Sequence, residues 1–168
     1  MIIRHATAAD AAGIAAIYND AVRHTTAVLV DTEVDAQNRA DWMAGRQAQG
    51  YPVLVAVDGT EVVAYASYGD FRPSDGYRGT VENSIYVAPA ARGQGLAPRL
   101  LGDLVAHARV IGKHVMVAVI TADNDVSIRL HARAGFVGTA ILREVGQKFG
   151  RWHDVAFMEL RLDDRPSP

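Results

Sequence analysis

The stretch Ser84-Ile85-Tyr86-Val87-Ala88-Pro89-Ala90-Ala91-Arg92-Gly93-Gln94-Gly95-Leu96-Ala97 constrains the fold more than any other part of the chain. An apolar run stops at a proline and a short glycine-rich segment follows. Leu96, Leu100, Leu101, Leu104, Val105, Ala108 and Ile111 then recur at helical spacing. A strand, a tight loop and a helix in that order gather backbone N–H groups at the helix start. There the unpaired amides and the positive end of the helix dipole favour an anion. Gly93 and Gly95 carry no Cβ, so a phosphate can come close to the main chain, and Arg92 adds a fixed positive charge. The pattern is that of a pyrophosphate cradle.

Three kinds of cradle share these features. A dinucleotide fingerprint needs a third glycine where this chain has Pro98, and an acidic residue further on to hold a ribose. A nucleotide P-loop needs Gly-Lys-Ser/Thr, which is absent. Arg92, Gly95 and Ala97 instead fill Arg/Gln-x-x-Gly-x-Gly/Ala. With Ile85-Tyr86-Val87-x-Pro89 before it and Leu100-Leu101 after it, this pattern resembles the acetyl-CoA loop of the GNAT superfamily of N-acetyltransferases.

The rest of the chain reads as one domain over residues 1–162, with 163–168 as a loose tail. Seventeen Lys and Arg against nineteen Asp and Glu give no electrostatic case for nucleic acid or an anionic membrane. Without cysteine there is no disulfide and no thiolate nucleophile. No apolar run reaches membrane-spanning length, and Met1-Ile2-Ile3-Arg4-His5 has no signal-peptide pattern, so a cytoplasmic location is expected. The histidines show no metal-ligand spacing, and no metal is expected.

In order, the pattern predicts a strand at Ile2–Arg4 and a helix behind Thr7-Ala8-Ala9-Asp10 running to about Val22. A second helix is capped by Asp35, and a hairpin follows from Val53 to Tyr68 around Asp58-Gly59. A polar loop should span Gly69 to Gly79 and a central strand Thr80 to Val87. The cradle helix comes next, then an apolar strand at Val115–Thr121 expected to be covered on both faces. A helix capped by Asp123 or Asn124 leads to two last strands, Phe136–Leu142 and Asp154–Leu162, joined through Val145–His153. The class is α/β or α+β. The resemblance specifies it as the GNAT acyl-CoA N-acyltransferase fold: a mixed sheet of about seven strands, about four helices, and central strands that splay apart.

Several stretches narrow the resemblance to the phosphinothricin and methionine sulfoximine acetyltransferase branch. They are Ile17–Val22, Thr25-Thr26-Ala27, Tyr65–Asp70, Tyr77–Glu82, Asn124 with Ser127-Ile128 and Leu130-His131, and above all Gly146-Gln147-Lys148-Phe149-Gly150-Arg151-Trp152. That resemblance implies acetyl transfer from acetyl-CoA, as co-substrate, to the α-amine of a small amino-acid-like acceptor, by a cytoplasmic homodimer. It places cofactor contacts at Ile85, Tyr86, Val87, Arg92, Gly93, Gln94, Gly95, Leu96, Ala97, Pro98 and Asn124. Acceptor contacts fall at Arg72, Pro73, Ser74, Glu82, Asn83 and Ser84.

The chemistry gives these positions roles. An ammonium must lose a proton before it attacks a thioester, and Glu82 is the candidate base; a salt-bridged strand glutamate is the alternative. Arg72 has the fork that grips a carboxylate, with Arg78, Lys148 and Arg151 in reserve, while Phe71 and Tyr77 are placed to line the pocket. His131 is either the acid that protonates the leaving thiolate or a structural hydrogen-bonding residue. Two rivals remain: a peptide or polyamine acetyltransferase on the same scaffold, and a non-catalytic acetyl-CoA-binding module.

Overall fold

In the computed structural model, which describes all of Met1–Pro168, seven strands form one sheet. They are β1 (Ile2–His5), β2 (Val53–Asp58), β3 (Glu61–Asp70), β4 (Thr80–Val87), β5 (Val115–Thr121), β6 (Val137–Lys148) and β7 (Arg151–Arg161). Their order is β1-β2-β3-β4-β5-β7-β6; β4 and β5 run parallel and every other neighbouring pair is antiparallel. The helices are α1 (Ala11–His24), α2 (Ala36–Ala48), α3 (Leu96–Val110) and α4 (Asp125–Arg133).

Local chemistry sets the helix starts. Asp10 accepts from the Thr7 backbone N at 2.7 Å and from Thr7 Oγ1 at 3.0 Å, closing a first turn ahead of α1. Both Arg4 terminal nitrogens hold the same carboxylate, at 2.7 and 2.8 Å, which ties β1 to that turn and lowers the Asp10 pKa to about 2. Asp35 caps α2 by accepting from the Asn38 N at 2.8 Å. Helix α1 runs two residues beyond the expected Val22, and Thr25 Oγ1 donates to the Ala21 carbonyl at its end.

Two helical layers sandwich the first four strands. Val53, Val55 and Val57 of β2 face α1 and α2 with Ile14, Ile17, Met43 and Tyr65. Leu54 and Ala56 face the opposite layer with Leu100, Leu101, Leu104 and Phe136. Both faces of β2 are therefore dry, which explains its uninterrupted apolar run. Strand β5 is largely covered on both faces, as expected: Met116, Ala118 and Ile120 are buried on the α3 side and Val117 and Thr121 on the other, where Val119 is 37% exposed. Ile111, placed on the buried face of α3 by spacing, is 41% exposed past the helix end.

Three connections also depart from the sequence reading. The hairpin between β2 and β3 pairs Asp58 with Glu61, so Gly59 (φ 59°) and Thr60 form its turn. Strand β3 continues through Asp70, which shortens the following loop, and Asp75–Tyr77 in that loop form a single 3₁₀ turn. The expected connection over Val145–His153 is strand almost throughout. Only Phe149 (φ 52°) and Gly150 (φ 69°) separate β6 from β7, and register shifts near Gly138 and between Leu142 and Gly146 absorb the extra residues. Two glycines in five residues concealed that hairpin. No regular element follows Arg161, yet Asp163 contacts His114 Nδ1 at 2.7 Å and Arg165 donates to the Gly112 carbonyl at 3.0 Å.

The central break decides where chemistry can happen. Strands β4 and β5 pair only at Thr80–Val115, Val81–Met116 and Glu82–Val117. Beyond Glu82 they diverge, so the β5-side backbone groups of β4 have no strand partner there. No helix is long and apolar enough to cross a membrane.

Candidate active site

Asn83 is the wedge at the fork. Its Nδ2 donates to the Val117 carbonyl at 3.0 Å, across the gap where the backbone ladder has ended. Its Oδ1 lies 3.1 Å from His131 Nε2, and His131 Nδ1 lies 2.8 Å from the Ser127 carbonyl. Asn124 Oδ1 accepts from the Ser127 N at 3.1 Å and starts α4. One chain of polar contacts thus fixes α4 to the fork. His131 is buried, its ring edge-on to Phe136 at 5.0 Å. Burial lowers its pKa below 6.5, opposed by the hydrogen bond to the Ser127 carbonyl.

Alternation along β4 divides the expected site residues between two faces. Val81, Ile85 and Val87 pack toward α3 and α4, and Asn83 reaches His131 on that same side. Tyr86 packs toward α1 and α2, stacked on Tyr65 with centroids 5.0 Å apart, and Glu82 and Ser84 share that face. Glu82 and Ser84 therefore lie together, whereas Asn83 lies behind the strand with His131. Burial raises the Glu82 pKa, and the charges of Arg72 and then Arg46 act against that rise.

The loop after β4 has the anion geometry that its glycines imply. Gly93 (φ 76°) and Gly95 (φ 74°) are both left-handed, a conformation any side chain would strain. The N–H groups of Gly93, Gln94 and Gly95 bond to no backbone acceptor, and Leu96 and Ala97 open the first turn of α3. Pro98 sits in that turn, where an N–H has no intrahelical partner and its loss costs little. Arg92 reaches back to the Val87 carbonyl at 3.4 Å and to Asp20 at 3.8 Å, and Gln94 donates to the Ala90 carbonyl at 3.2 Å. Four or five donors at a helix start, with space above two glycines, fit a diphosphate.

Arg72, Pro73 and Ser74 are exposed on the β3–β4 loop, where Arg72 lies 4.2 Å above the Phe71 ring. Phe71 and Tyr77 meet edge-to-face and line a cavity of about 300 Å³ with Thr80, Val115, Val117 and Phe157. Val117 is the register partner of Glu82, but the Glu82 side chain does not line this cavity. The reserve cations behave differently. Lys148 is buried, and its Nζ donates to the Thr25 and Val28 carbonyls at 2.7 Å each, pinning the α1–α2 loop rather than facing a ligand. Arg78 donates to the Asp75 carbonyl at 2.9 Å, and Arg151 is exposed at the hairpin tip. Nowhere do three or more His, Asp or Glu side chains converge as a metal site would need.

The profile described as "Acetyltransferase (GNAT) family" matches residues 14–136, spanning the fork, the anion loop and α4. The chain belongs to the GNAT acetyltransferase family. Like others of that family it is an N-acetyltransferase by descent, and its relatives are close. It is 52% identical to the L-methionine sulfoximine/L-methionine sulfone acetyltransferase of Salmonella typhimurium, over 100% of this chain and 98% of that protein. It is 37% identical to the phosphinothricin N-acetyltransferase of Streptomyces coelicolor, over 87% of each. A Salmonella typhimurium acetyltransferase solved with its cofactor acetyl-CoA superposes with a TM-score of 0.97 at 52% identity, over 99% of this chain and 96% of that one. This GNAT chain also contains a residue that sequence patterning did not single out: Arg46, in the last turn of α2, whose charge reaches Glu82. A basic residue near a helix end is ordinary in a sequence, and only the fold shows what it faces.

Proposed function

We propose that the protein transfers acetyl from acetyl-CoA to the α-amine of a small free amino acid of the methionine sulfoximine, methionine sulfone or phosphinothricin type. The observation that carries this reading is the fork. It opens one residue after Glu82, on the strand that leads into the diphosphate loop. A thioester arm lying between β4 and β5 would meet an amine held on the Glu82 face.

In this reading the N–H groups of Gly93 to Ala97, with Arg92, hold the diphosphate. Ile85, Tyr86 and Val87 offer main-chain groups to the arm, and Asn124 lies at the far side of the cleft. Glu82 takes a proton from the acceptor ammonium, directly or through water. Its elevated pKa makes it a better base near neutral pH than an exposed carboxylate. Unpaired β4 N–H groups stabilise the oxyanion as the amine adds to the thioester carbonyl. His131, with both ring nitrogens against protein oxygens, holds the Asn83–His131–Ser127 chain that props the fork open, the structural role rather than that of the acid for the departing thiolate. With no cysteine to carry the acetyl group, attack is direct in a ternary complex.

The close relatives' named substrates support a free amino acid over a peptide. The chain works as a homodimer in the cytoplasm. Strand β6 forms a sheet edge, and Val137, Ile141, Leu142, Val145, Phe149 and Trp152 are all exposed on the β6–β7 hairpin. So long an apolar edge calls for a cover. The reading is tested by thiol release from acetyl-CoA across free amino acids, their analogues, polyamines and short peptides. Methionine sulfoximine, methionine sulfone or phosphinothricin should lead the panel. Leading peptides or polyamines would overturn the acceptor assignment, and tight acetyl-CoA binding without turnover would overturn catalysis.

A further inference from the structure

Gly69 is the cross-strand partner of Glu82. Its backbone is ordinary, so no left-handed conformation accounts for a glycine there. Space does. A Cβ built at position 69 would overlap the guanidinium of Arg46, meeting Cζ and both terminal nitrogens. Arg46 descends from the last turn of α2 and lays its charged end on the sheet where residue 69 would otherwise project a side chain. Facing residues on an antiparallel pair have Cβ atoms about 5 Å apart. The guanidinium therefore stands beside Glu82, on the face that carries the candidate base.

Despite that proximity, Arg46 is not spent on a protein partner. It makes no ion pair within 4.0 Å and no side-chain hydrogen bond, and its Nε is buried without an acceptor. Asp70, the adjacent carboxylate, points to the other side of β3 and takes the Tyr51 hydroxyl. A half-buried guanidinium with a dry, unmatched donor, on the same face as a carboxylate with which it makes no ion pair, can take an anion while that carboxylate takes a cation. An α-amino acid carries both: its ammonium suits Glu82 and its carboxylate, one carbon away, suits Arg46.

We propose that Arg46, its guanidinium seated in the space that Gly69 keeps open, binds the α-carboxylate of the acceptor and so selects amino acids over simple amines. Arg72, further out on the β3–β4 loop, is then free to meet the distal polar group. This rests on the free-amino-acid reading above. It also accounts for a buried guanidinium nitrogen that has no protein acceptor.

The test compares methionine sulfone with the amine that lacks its carboxylate, 3-(methylsulfonyl)propylamine, on the full-length enzyme. Wild type should favour the amino acid. Arg46→Gln should raise the KM for methionine sulfone on the order of ten- to a hundredfold, with little change in the KM for acetyl-CoA or for the simple amine. Gly69→Ala retains the arginine but displaces its charged end, and should raise the same KM. Arg46→Lys should recover part of the loss, since it keeps the charge without the fork. If wild type prefers methionine sulfone and both Arg46→Gln and Gly69→Ala leave that preference intact, Arg46 is not the carboxylate site. If wild type shows no preference for amino acids, the acceptor reading itself fails, whatever Arg46 does.

Discussion

Glu82 concentrates the chemistry of this molecule in one side chain. Burial favours its protonated form, while the positive charges of Arg72 and Arg46 pull the other way. The net displacement is upward from 4.5, so the deprotonated, active form is lost at a higher pH than for an exposed glutamate. The rate should therefore fall as pH drops through that raised pKa and level off above it. Glu82→Gln should reduce kcat about a hundredfold or more and remove this acid limb, while acetyl-CoA binding is unchanged. An unaltered rate and profile would remove Glu82 as the base. At this scale the sequence was informative but incomplete. The loop glycines were legible because an anion loop needs glycine at fixed spacing, whereas the roles given to Glu82 and His131 rested on the family resemblance. That Asn83 faces away from Glu82 follows from strand alternation, yet its role as wedge depends on where β4 and β5 separate. Arg46 was not legible at all, because its significance depends on a glycine 23 positions away that only pairing brings opposite Glu82.

Among the elements, the turn from β4 into α3 is where local conformation and ligand capture coincide. Gly95 ends the loop at φ 74° and caps α3. No protein atom lies within 4 Å of where its Cβ would be, so a methyl group there meets nothing but whatever the loop binds. Gly95→Ala should impose a left-handed penalty of about 1–2 kcal/mol and crowd the diphosphate. The KM for acetyl-CoA should rise on the order of tenfold, with the acceptor KM held, in initial-rate measurements. A rise confined to the acceptor would place the diphosphate elsewhere. Elements with one strong periodic pattern were readable, β4 over Thr80–Val87 and α3 from Leu96 to within a residue of its end at Val110. The β6–β7 hairpin was not. Its turn places Phe149 at a positive φ beside Gly150, and its bulges break the two-residue alternation that marks a strand.

For the whole molecule, the β6–β7 edge is the part of the sheet left open, with nearly all of β6 exposed. Exposed apolar side chains collect on the outermost hairpin, with Val137 at 60%, Ile141 at 57% and Trp152 at 64% exposure. A second copy of the chain covering that edge is the assembly proposed above. Light scattering should give twice the chain mass for the wild type, and Ile141→Glu should shift it toward one. A wild-type monomer at working concentration would discard the homodimer. Mixed strand order and two-sided burial were readable as a class from the alternation of apolar runs, but an edge left bare is a property of neighbours that never arrive.

The central claim is that an amine held on the Glu82 face attacks acetyl-CoA bound through the fork, and that the amine belongs to a free amino acid. The most direct measurement is the ratio of kcat/KM for free L-methionine sulfoximine to that for a short peptide with an unblocked N-terminus, both with acetyl-CoA saturating. The ratio should be well above one, on the order of a hundred or more, since the peptide lacks the free α-carboxylate. A ratio at or below one would contradict it.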